Sequence, residues 1–556
     1  MHFYKRVWGL GLALTLVCML FPSFSYAHAY LQQSTPSANA ILIQSPTKVI
    51  LQFNETIQPA FHSIQVMNAS GERVDLDDSY IPDQQPKTLE GSVRPNLPDG
   101  LYTISWYIIS GDGHPIDGSF SFQIGQSSSS INAPPASSSD RLPGLDLIVT
   151  RWLLYLSMSL FIGILCFYLF MYRPDSNKKG ISPLSPRSRT LCWISYGGIA
   201  TSIILSLPLQ ATIDARIPWT KLGSTPWFSP LMNTDFGTIW LIQFIIVTVL
   251  GGFLYIANRT SKKQNDTGNI YYYISLILGL GILLTKSFIG HAAASQSEVL
   301  AVTMNFLHLT AICIWIGSLL VIAAILPGEA SLPSSGVDRK RTIFGVIRTF
   351  SIWGTGLVAI LILSGTYASL KYVPTMYSLF NTLYGQILLT KCGLVLIMLG
   401  FAANNNLRGR RNQPLGKSVW IELSIGVVTL VLAAILTNIP TAMSSPGPVD
   451  LSQTLENGNT ISLQISPNVI GNNHFEIHVQ DPSGYDITNI DQIKLTLINL
   501  DMDMNPYEIL IPHQADSNFI AEDLISMAGQ WNVQVHILTS TLDSWDTEFK
   551  IRVGTK

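Results

Sequence analysis

Residues 305–320 read NFLHLTAICIWIGSLL and lie within an apolar run that extends from about 299 to 326. A helix needs about 20 predominantly apolar residues to cross the hydrocarbon core of a bilayer, so this run is long enough to span a membrane. Seven further runs of this kind occupy the middle of the chain. They cover about 147–172, 190–212, 237–257, 270–289, 346–368, 384–404 and 419–439.

The composition agrees with a membrane protein. The chain has 556 residues, of which 47% are hydrophobic and 12% are charged, whereas about a quarter of an average soluble chain is charged. A net charge of −2, without a basic patch interleaved with aromatic residues, argues against a nucleic-acid partner. The cysteines all lie in apolar runs, so the exported parts contain no disulfide framework. They are Cys18, Cys166, Cys192, Cys313 and Cys392.

Basic residues in the connections indicate how the helices are oriented. The connections between the eight apolar runs are numbered in chain order. The even-numbered connections contain only three basic residues, which are Arg216, Lys221 and Lys371. Because cytoplasmic connections collect Lys and Arg, the segments before helix one and after helix eight are both predicted to lie outside the cell. The odd-numbered connections contain Arg173, Lys178, Lys179, Arg187, Arg189, Arg259, Lys262, Lys263, Arg339, Lys340, Arg341, Arg348, Arg408, Arg410, Arg411 and Lys417.

The first 27 residues are typical of a secretory signal peptide. Lys5 and Arg6 precede the apolar run GLGLALTLVCMLF, which is followed by a small-residue cleavage pattern that ends at Ala27. A lipoprotein signal at Cys18 is less favoured because Val17, rather than a small residue, precedes that cysteine. Cleavage after Ala27 would make His28 the first residue of the mature chain.

The segments on either side of the helices alternate apolar and polar residues, as β-strands do. Residues 28–126 contain KVILQFN, SIQVMNA, LYTISWYII and SFSFQIG, which predict a small antiparallel sandwich or barrel. Residues 127–144 form a Ser/Pro-rich linker to a membrane domain at 145–440. Residues 450–556 contain TISLQIS, HFEIHVQ, IKLTLINL and WNVQVHIL, which predict a second β-sandwich.

Three residues of the first β segment have the chemistry of a copper site. A mature N-terminal His28 offers its α-amine and its Nδ1, while the turn SGDGHPIDGSFSF offers Asp112 and His114. Three nitrogens and one carboxylate oxygen suit a tetragonal Cu(II) ion. An α-amine with a pKa of roughly 8 loses its proton readily to such an ion. The alternative is that His28 is an accident of cleavage and that Asp112 only stabilises a turn.

The stretches HAYLQQSTPSANA, LQFNETIQPAF and GDGHPIDGSFSFQIG resemble the CopC copper-resistance family over nearly all of residues 28–125. The resemblance implies a Greek-key sandwich in which His28, Asp112 and His114 bind Cu(II). Glu55 matches an acidic residue of that family and is expected to be an additional ligand or a neighbour of the ligands. His62 has no match and is interpreted as an ordinary surface histidine.

The helical region resembles CopD, the membrane partner of CopC, from about Arg151 to Asn406. The resemblance rests on RWLLYLSMSLFIG, on GHAAA followed by NFLHLTAICIWIGSLL, on FSIWGTGLVAILILSGTY and on YGQILLTKCGLVL. An ionisable residue inside a membrane span is costly and is by default a functional-site hypothesis. His308 lies about nine residues into helix five, or roughly 13 Å from its outer end.

Met304 lies one turn above His308 on the same helix face, and a thioether with an imidazole suits Cu(I). His291, in the outer connection before helix five, is a candidate for the ligand that first receives the ion, with Glu298 near the mouth of that helix. Alternatively, His308 only hydrogen-bonds a neighbouring helix, Met304 fills the core and His291 is solvated. Cys313 points elsewhere on the helix, and Trp315 is interpreted as a lipid-facing or packing residue.

The C-terminal segment holds a further metal hypothesis. In NLDMDMNPYEI, Met502 and Met504 would point to one face of a strand about 7 Å apart, near enough to share Cu(I) with Met527 or His513. His474 and His478 would lie about 13 Å apart, too far to chelate one ion. The MxM and MAGxW pattern resembles the YtkA-like domains that follow CopC and CopD in some fused Gram-positive proteins. The favoured alternative is that these methionines belong to the core.

Together these features and resemblances predict a multi-domain membrane protein that transports copper and is not an enzyme. The resemblance to CopC and CopD implies that the direction of transport is import. The N-terminal domain would bind Cu(II), and the helices would carry Cu(I) through the lipid bilayer. An extracellular copper chaperone is a further expected partner. No Walker motif supplies ATP energy. The alternatives are a membrane-anchored copper buffer or sensor and a copper mono-oxygenase-like enzyme.

Overall fold

The computed structural model describes most of the chain. The described residues form two compact units, one with the long helices and one with both β-domains and residues 373–385. The predicted signal peptide and almost all of the predicted linker lie outside the described residues. The described ranges are 31–37, 40–111, 115–125, 142–172, 184–261, 268–289, 298–328, 336–411, 413, 416–500, 506–512, 519–525 and 528–554.

The N-terminal domain is a sandwich of two sheets that share one apolar core. Its strands are β1 (Leu31–Thr35), β2 (Ile41–Leu42), β3 (Lys48–Phe53), β4 (Ser63–Asn68), β5 (Thr88–Ser92), β6 (Gly100–Ile109) and β7 (Pro115–Ile124). The sheet orders are β1-β3-β5 and β2-β7-β6-β4. The four strands predicted from alternation are β3, β4, β6 and β7. The short β2 pairs parallel to β7, so the predicted antiparallel pattern is wrong at this edge.

Gly118 of β7 faces Trp106 across the β6–β7 pair. A β-carbon at Gly118 would lie 2.5 Å from the indole ring, so only glycine leaves room for the ring. The same indole packs edge-on against Phe53 of the opposite sheet, with 5.1 Å between ring centroids. The glycine in the DGSF motif thus lets one aromatic side chain fill the space between the sheets.

Eight helices in the described part of the chain are long and apolar enough to cross a membrane. The predicted run at 346–368 corresponds to a helix that begins ten residues earlier, because its polar first turns extend beyond the apolar stretch. The helices are α1 (Leu145–Cys166), α2 (Pro186–Asp214), α3 (Asp235–Ser261), α4 (Gly268–Ser287), α5 (Glu298–Leu320), α6 (Gly336–Tyr372), α7 (Leu383–Arg410) and α8 (Ser418–Leu436).

The helices α1 and α5 cross with their backbones in contact. A β-carbon on Gly163 would overlap the Cα of Gly317, and a β-carbon on Gly317 would overlap the carbonyl oxygen of Ser159. Small residues permit such close approach of membrane helices. Each helix then continues as a five-residue π-helical turn, Phe167–Met171 after α1 and Val321–Ile325 after α5. The apolar core of the helical unit surrounds this crossing.

The C-terminal domain consists of two four-stranded antiparallel sheets, β13-β10-β9-β8 and β12-β11-β14-β15. Both sheets contribute to one apolar core, as the alternation of four strands predicts. The strands are β8 (Val449–Thr454), β9 (Thr460–Ser466), β10 (Gly471–Gln480), β11 (Ile490–Asn499), β12 (Tyr507–Pro512), β13 (Phe519–Ile525), β14 (Gly529–Thr539) and β15 (Ser544–Val553).

The α1–α5 crossing gives a prediction about stability. Replacing Gly163 with alanine places a methyl group against the backbone of α5, so we expect a loss of about 1–3 kcal/mol. Thermal unfolding of the detergent-purified chain measures the effect. Gly354→Ala is the matched control, because a β-carbon there meets nothing within 4 Å. Equal unfolding temperatures for the two variants would contradict the crossing.

Candidate metal sites

One end of the N-terminal sandwich brings together the flanks of the predicted Cu(II) ligands. Leu31, three residues after His28, pairs with Phe53, two residues before Glu55. The segment that contains Glu55 then runs beside the β6–β7 turn, where Ile57 forms a β-bridge with Ser110. The backbone N–H of Gln58 donates a hydrogen bond to the backbone carbonyl oxygen of Ile109 over 2.8 Å.

Gly111 brings this turn close to the Glu55 segment. A β-carbon on Gly111 would lie 2.9 Å from Thr56 Oγ1 and 3.1 Å from Thr56 O. Glu55 itself is partly buried, and its Oε1 is shielded from solvent. The residue that follows Glu55 in the FNET motif therefore lies beside Gly111, which immediately precedes Asp112.

Most of the predicted metal ligands lie outside the described residues. These are His28, Asp112, His114, His291, Met502 and Met504, as well as Met527 and His513. Among the residues that are described, no group of three or more His, Cys, Asp or Glu side chains could hold a metal ion. The predicted ligands that can be located are Glu55, Met304 and His308.

His62, interpreted from the sequence as a surface histidine, is half-buried in the N-terminal domain. Its Nδ1 lies 3.5 Å from Ser79 Oγ. Burial lowers the pKa of the His62 imidazole below its usual value, so the neutral ring is favoured in the folded domain.

His308 of α5 is held by Ser364 of α6, with 2.9 Å between Nδ1 and Oγ. The Ser364 hydroxyl also lies 2.6 Å from the carbonyl oxygen of Ile360, to which it donates. A hydroxyl has one hydrogen, and Ser364 donates it to Ile360, so Ser364 Oγ accepts the hydrogen bond from His308. The neutral imidazole of His308 therefore carries its hydrogen on Nδ1. This hydrogen bond joins α5 to α6, as one of the alternatives predicted. It leaves the lone pair of His308 Nε2 available to bind a metal ion.

Met304 lies one helical turn before His308 on the same face of α5 and is buried. Cys313 instead lies against α1, with 3.6 Å between its Sγ and Ser159 Oγ. Lys391 of α7 is within electrostatic range of the His308 ring. A cationic Lys391 would oppose binding of a copper ion at His308, since like charges repel strongly in a membrane interior.

A buried polar cluster near the start of α8 was missed in the sequence. Glu422 is 1% exposed; its Oε1 accepts from Trp315 Nε1 over 3.1 Å and its Oε2 from Asn405 Nδ2 over 2.8 Å. Ser418 in turn donates to Asn405 Oδ1. Trp315 is therefore an interior hydrogen-bond donor rather than a lipid-facing residue. The signal was the acid inside the apolar run VWIELSIGVV.

Comparison with known proteins connects these sites to a family. Residues 31–125 match the CopC domain, 143–299 the N-terminal domain of copper resistance protein D-like proteins, and 344–436 copper resistance protein D. The chain is 32% identical over 552 residues to the copper transport protein CutJ of Bacillus subtilis (strain 168), covering 98% of this chain and 99% of CutJ. The chain belongs to the family of CopC–CopD copper-resistance proteins.

Shorter relatives of this CopC–CopD protein match its separate parts. Protein YobA of Escherichia coli (strain K12) is 28% identical over 114 residues, covering 20% of this chain and 91% of YobA. Inner membrane protein YebZ of the same strain is 23% identical over 235 residues, covering 40% of this chain and 74% of YebZ. With its apolar helices and CopD match, the CopC–CopD protein is a multi-pass membrane protein.

The Glu422 cluster gives a second prediction. Glu422→Gln replaces one acceptor oxygen with an NH2 group that faces the Asn405 donor, so one buried donor loses its partner. We expect a loss of about 1–3 kcal/mol in stability, measured by thermal unfolding in detergent. Glu456→Gln, at an exposed turn of the C-terminal domain, is the control and should leave the midpoint unchanged. A Glu422→Gln variant as stable as this control would contradict the cluster.

Proposed function

We propose that this protein imports copper across the cytoplasmic membrane. The CopC-like domain would capture Cu(II) outside the cell through His28, Asp112 and His114, with Glu55 as a further ligand or neighbour. The helices would pass the ion inward as Cu(I) through His308. The observation that supports capture is the meeting of β1, the Glu55 segment and the β6–β7 turn at one end of the sandwich.

Chain connectivity strengthens the capture hypothesis. His28 is three residues from Leu31, and three residues span at most about 11 Å. Asp112 directly follows Gly111, and His114 directly precedes Pro115 of β7. The positions from which all three ligands extend are therefore near Glu55. A carboxylate beside a Cu(II) ion would offset part of the ion's charge or occupy a coordination position.

The positions of Lys and Arg support the proposed orientation. Basic residues concentrate in alternate connections, which places both β-domains outside when those connections are cytoplasmic. In this arrangement the domains are a signal peptide at 1–27, a copper-binding domain at 28–126, a linker at 127–144, a membrane domain at 145–440 and a YtkA-like domain at 450–556. Met502 and Met504 of the last domain would be auxiliary Cu(I) ligands.

The proposed membrane path begins at His291 and continues through Met304 to His308. The Ser364 hydrogen bond fixes the His308 ring and presents Nε2 as a ligand atom. Imidazole and thioether ligands suit Cu(I), so reduction would precede the membrane step. A neutral Lys391 would permit an ion at His308, whereas a cationic one would exclude it.

The capture step is tested with the purified full-length chain. One preparation begins at His28 and a second carries one inserted residue before it. We expect the insertion to remove the α-amine nitrogen from the Cu(II) coordination, which changes the nitrogen couplings in electron paramagnetic resonance and weakens binding. Glu55→Gln should weaken binding to a smaller extent, and the exposed Glu72→Gln is its control. Identical spectra for the two N-termini would overturn His28 as a ligand.

The transport step is tested separately by copper accumulation in cells. We expect His308→Ala to abolish most accumulation above that of cells lacking the protein, because it removes the ligand at the middle of the path. Met304→Leu keeps the volume of the side chain and removes the sulfur, so a partial loss is expected. His474→Ala, on the outer face of β10, is the control. Unchanged accumulation in His308→Ala would instead favour a membrane-anchored copper buffer or sensor.

A further inference from the structure

A cavity of ≈ 30 Å³ lies among α1, α2, α3 and α4, away from the His308 path. Each of these helices contributes one strong hydrogen-bond donor to its lining. The donors are Arg151, Gln210, Gln243 and Lys286. All four lie toward one end of the bundle, since Arg151 is near the start of α1, Gln243 is in the first half of α3, and Gln210 and Lys286 are near the ends of their helices.

The existing hydrogen bonds leave donor capacity at this cavity. Arg151 Nη1 donates to the carbonyl oxygen of Thr437 over 3.1 Å, which leaves the other guanidinium hydrogens. Gln243 donates one amide hydrogen to Thr285 over 3.1 Å and retains a second. Lys286 forms no ion pair with any side chain in the described part of the chain.

Two basic side chains, Arg151 and Lys286, line the cavity. Arg151 and Lys286 are close enough to interact electrostatically, and no carboxylate is among the described residues that line the cavity. The nearest acid in the hydrogen-bond network is Asp214, whose Oδ1 accepts from Gln210 over 2.8 Å. One carboxylate behind Gln210 cannot neutralise two cations. Two like charges packed between helices repel each other unless a counter-ion lies between them.

We propose that this cavity binds a small inorganic anion, for which chloride has the appropriate size and charge. A cavity of roughly 10–15 Å³ accommodates one water-sized occupant. The cavity among α1, α2, α3 and α4 therefore has room for one chloride ion. Charge-assisted N–H donors from Arg151 and Lys286, together with the glutamine amides, would surround it. The anion would offset the repulsion between the two cations and connect four helices.

This anion site is distinct from the proposed copper function, since no copper ligand contributes to it. A lipid phosphate group is larger than the cavity, which favours a free ion. In the orientation proposed above, the ends of α2 and α4 and the start of α1 face outward, so the anion would come from the extracellular medium.

The test uses the purified full-length chain in detergent without copper. Sodium chloride is compared with sodium gluconate at constant ionic strength, and binding is followed by thermal unfolding and by ³⁵Cl line broadening that bromide reverses. We expect a saturable rise in the unfolding temperature with chloride. Lys286→Gln should weaken the apparent chloride affinity about tenfold or more, because it removes one charge-assisted donor.

Two further variants keep the test decisive. Lys286→Arg retains the cation and should retain the chloride response even if Lys286→Gln does not fold. Lys221→Gln, at an exposed position of an outer connection, should behave as the unmodified chain. The absence of a chloride effect in the unmodified chain, or an equal effect in Lys286→Gln, would overturn the proposal. Stabilisation by phosphatidylglycerol nanodiscs but not by chloride would overturn it in favour of a lipid phosphate.

Discussion

The backbone contact between Gly163 and Gly317 is the constraint on which the membrane bundle depends. Hydrocarbon tails are as apolar as leucine, so membrane helices associate through close packing rather than through the hydrophobic effect. The two glycines allow α1 to approach α5 to backbone distance, and α1 also packs against α2, α4 and α8. Because α5 carries Met304, His308 and Trp315, this crossing determines how deep those side chains lie relative to α1.

Around this apolar centre, the polar side chains of the bundle form separate groups. His308 is tied to α6 through Ser364, and Glu422 of α8 is tied to α5 and α7 through Trp315 and Asn405. Arg151 and Lys286 occupy the wall of a third region among the first four helices. Each polar group thus connects different helices, and two of the three include α5. A change in the position of α5 would alter both of those groups together.

Much of the architecture was predictable because its periodicity is strong. The eight apolar runs and the longest strands of both β-domains follow directly from hydropathy and alternation, whereas short or edge strands such as β2 and β12 have too little pattern to be seen. His308 was identifiable as a rare ionisable residue in an apolar run. The partner Ser364 was not, because contacts between α5 and α6 depend on helix rotation. Glu422 is likewise an ionisable residue in an apolar run, but it has no neighbouring soft ligand that would indicate a copper site.

The π-helical turns after α1 and α5 occupy equivalent positions, each beginning four residues after its crossing glycine. A π-helical turn accommodates an extra residue, and one residue corresponds to about 100° of helix rotation. Loss of that residue from α1 would turn Met171 away from Ser318, whose hydroxyl now lies 3.9 Å from the thioether sulfur. The rotation of α1 and α5 about their own axes is therefore matched, as well as the point at which they cross. A one-residue deletion in either would disturb the half of the bundle that follows the crossing while leaving the half before it in register.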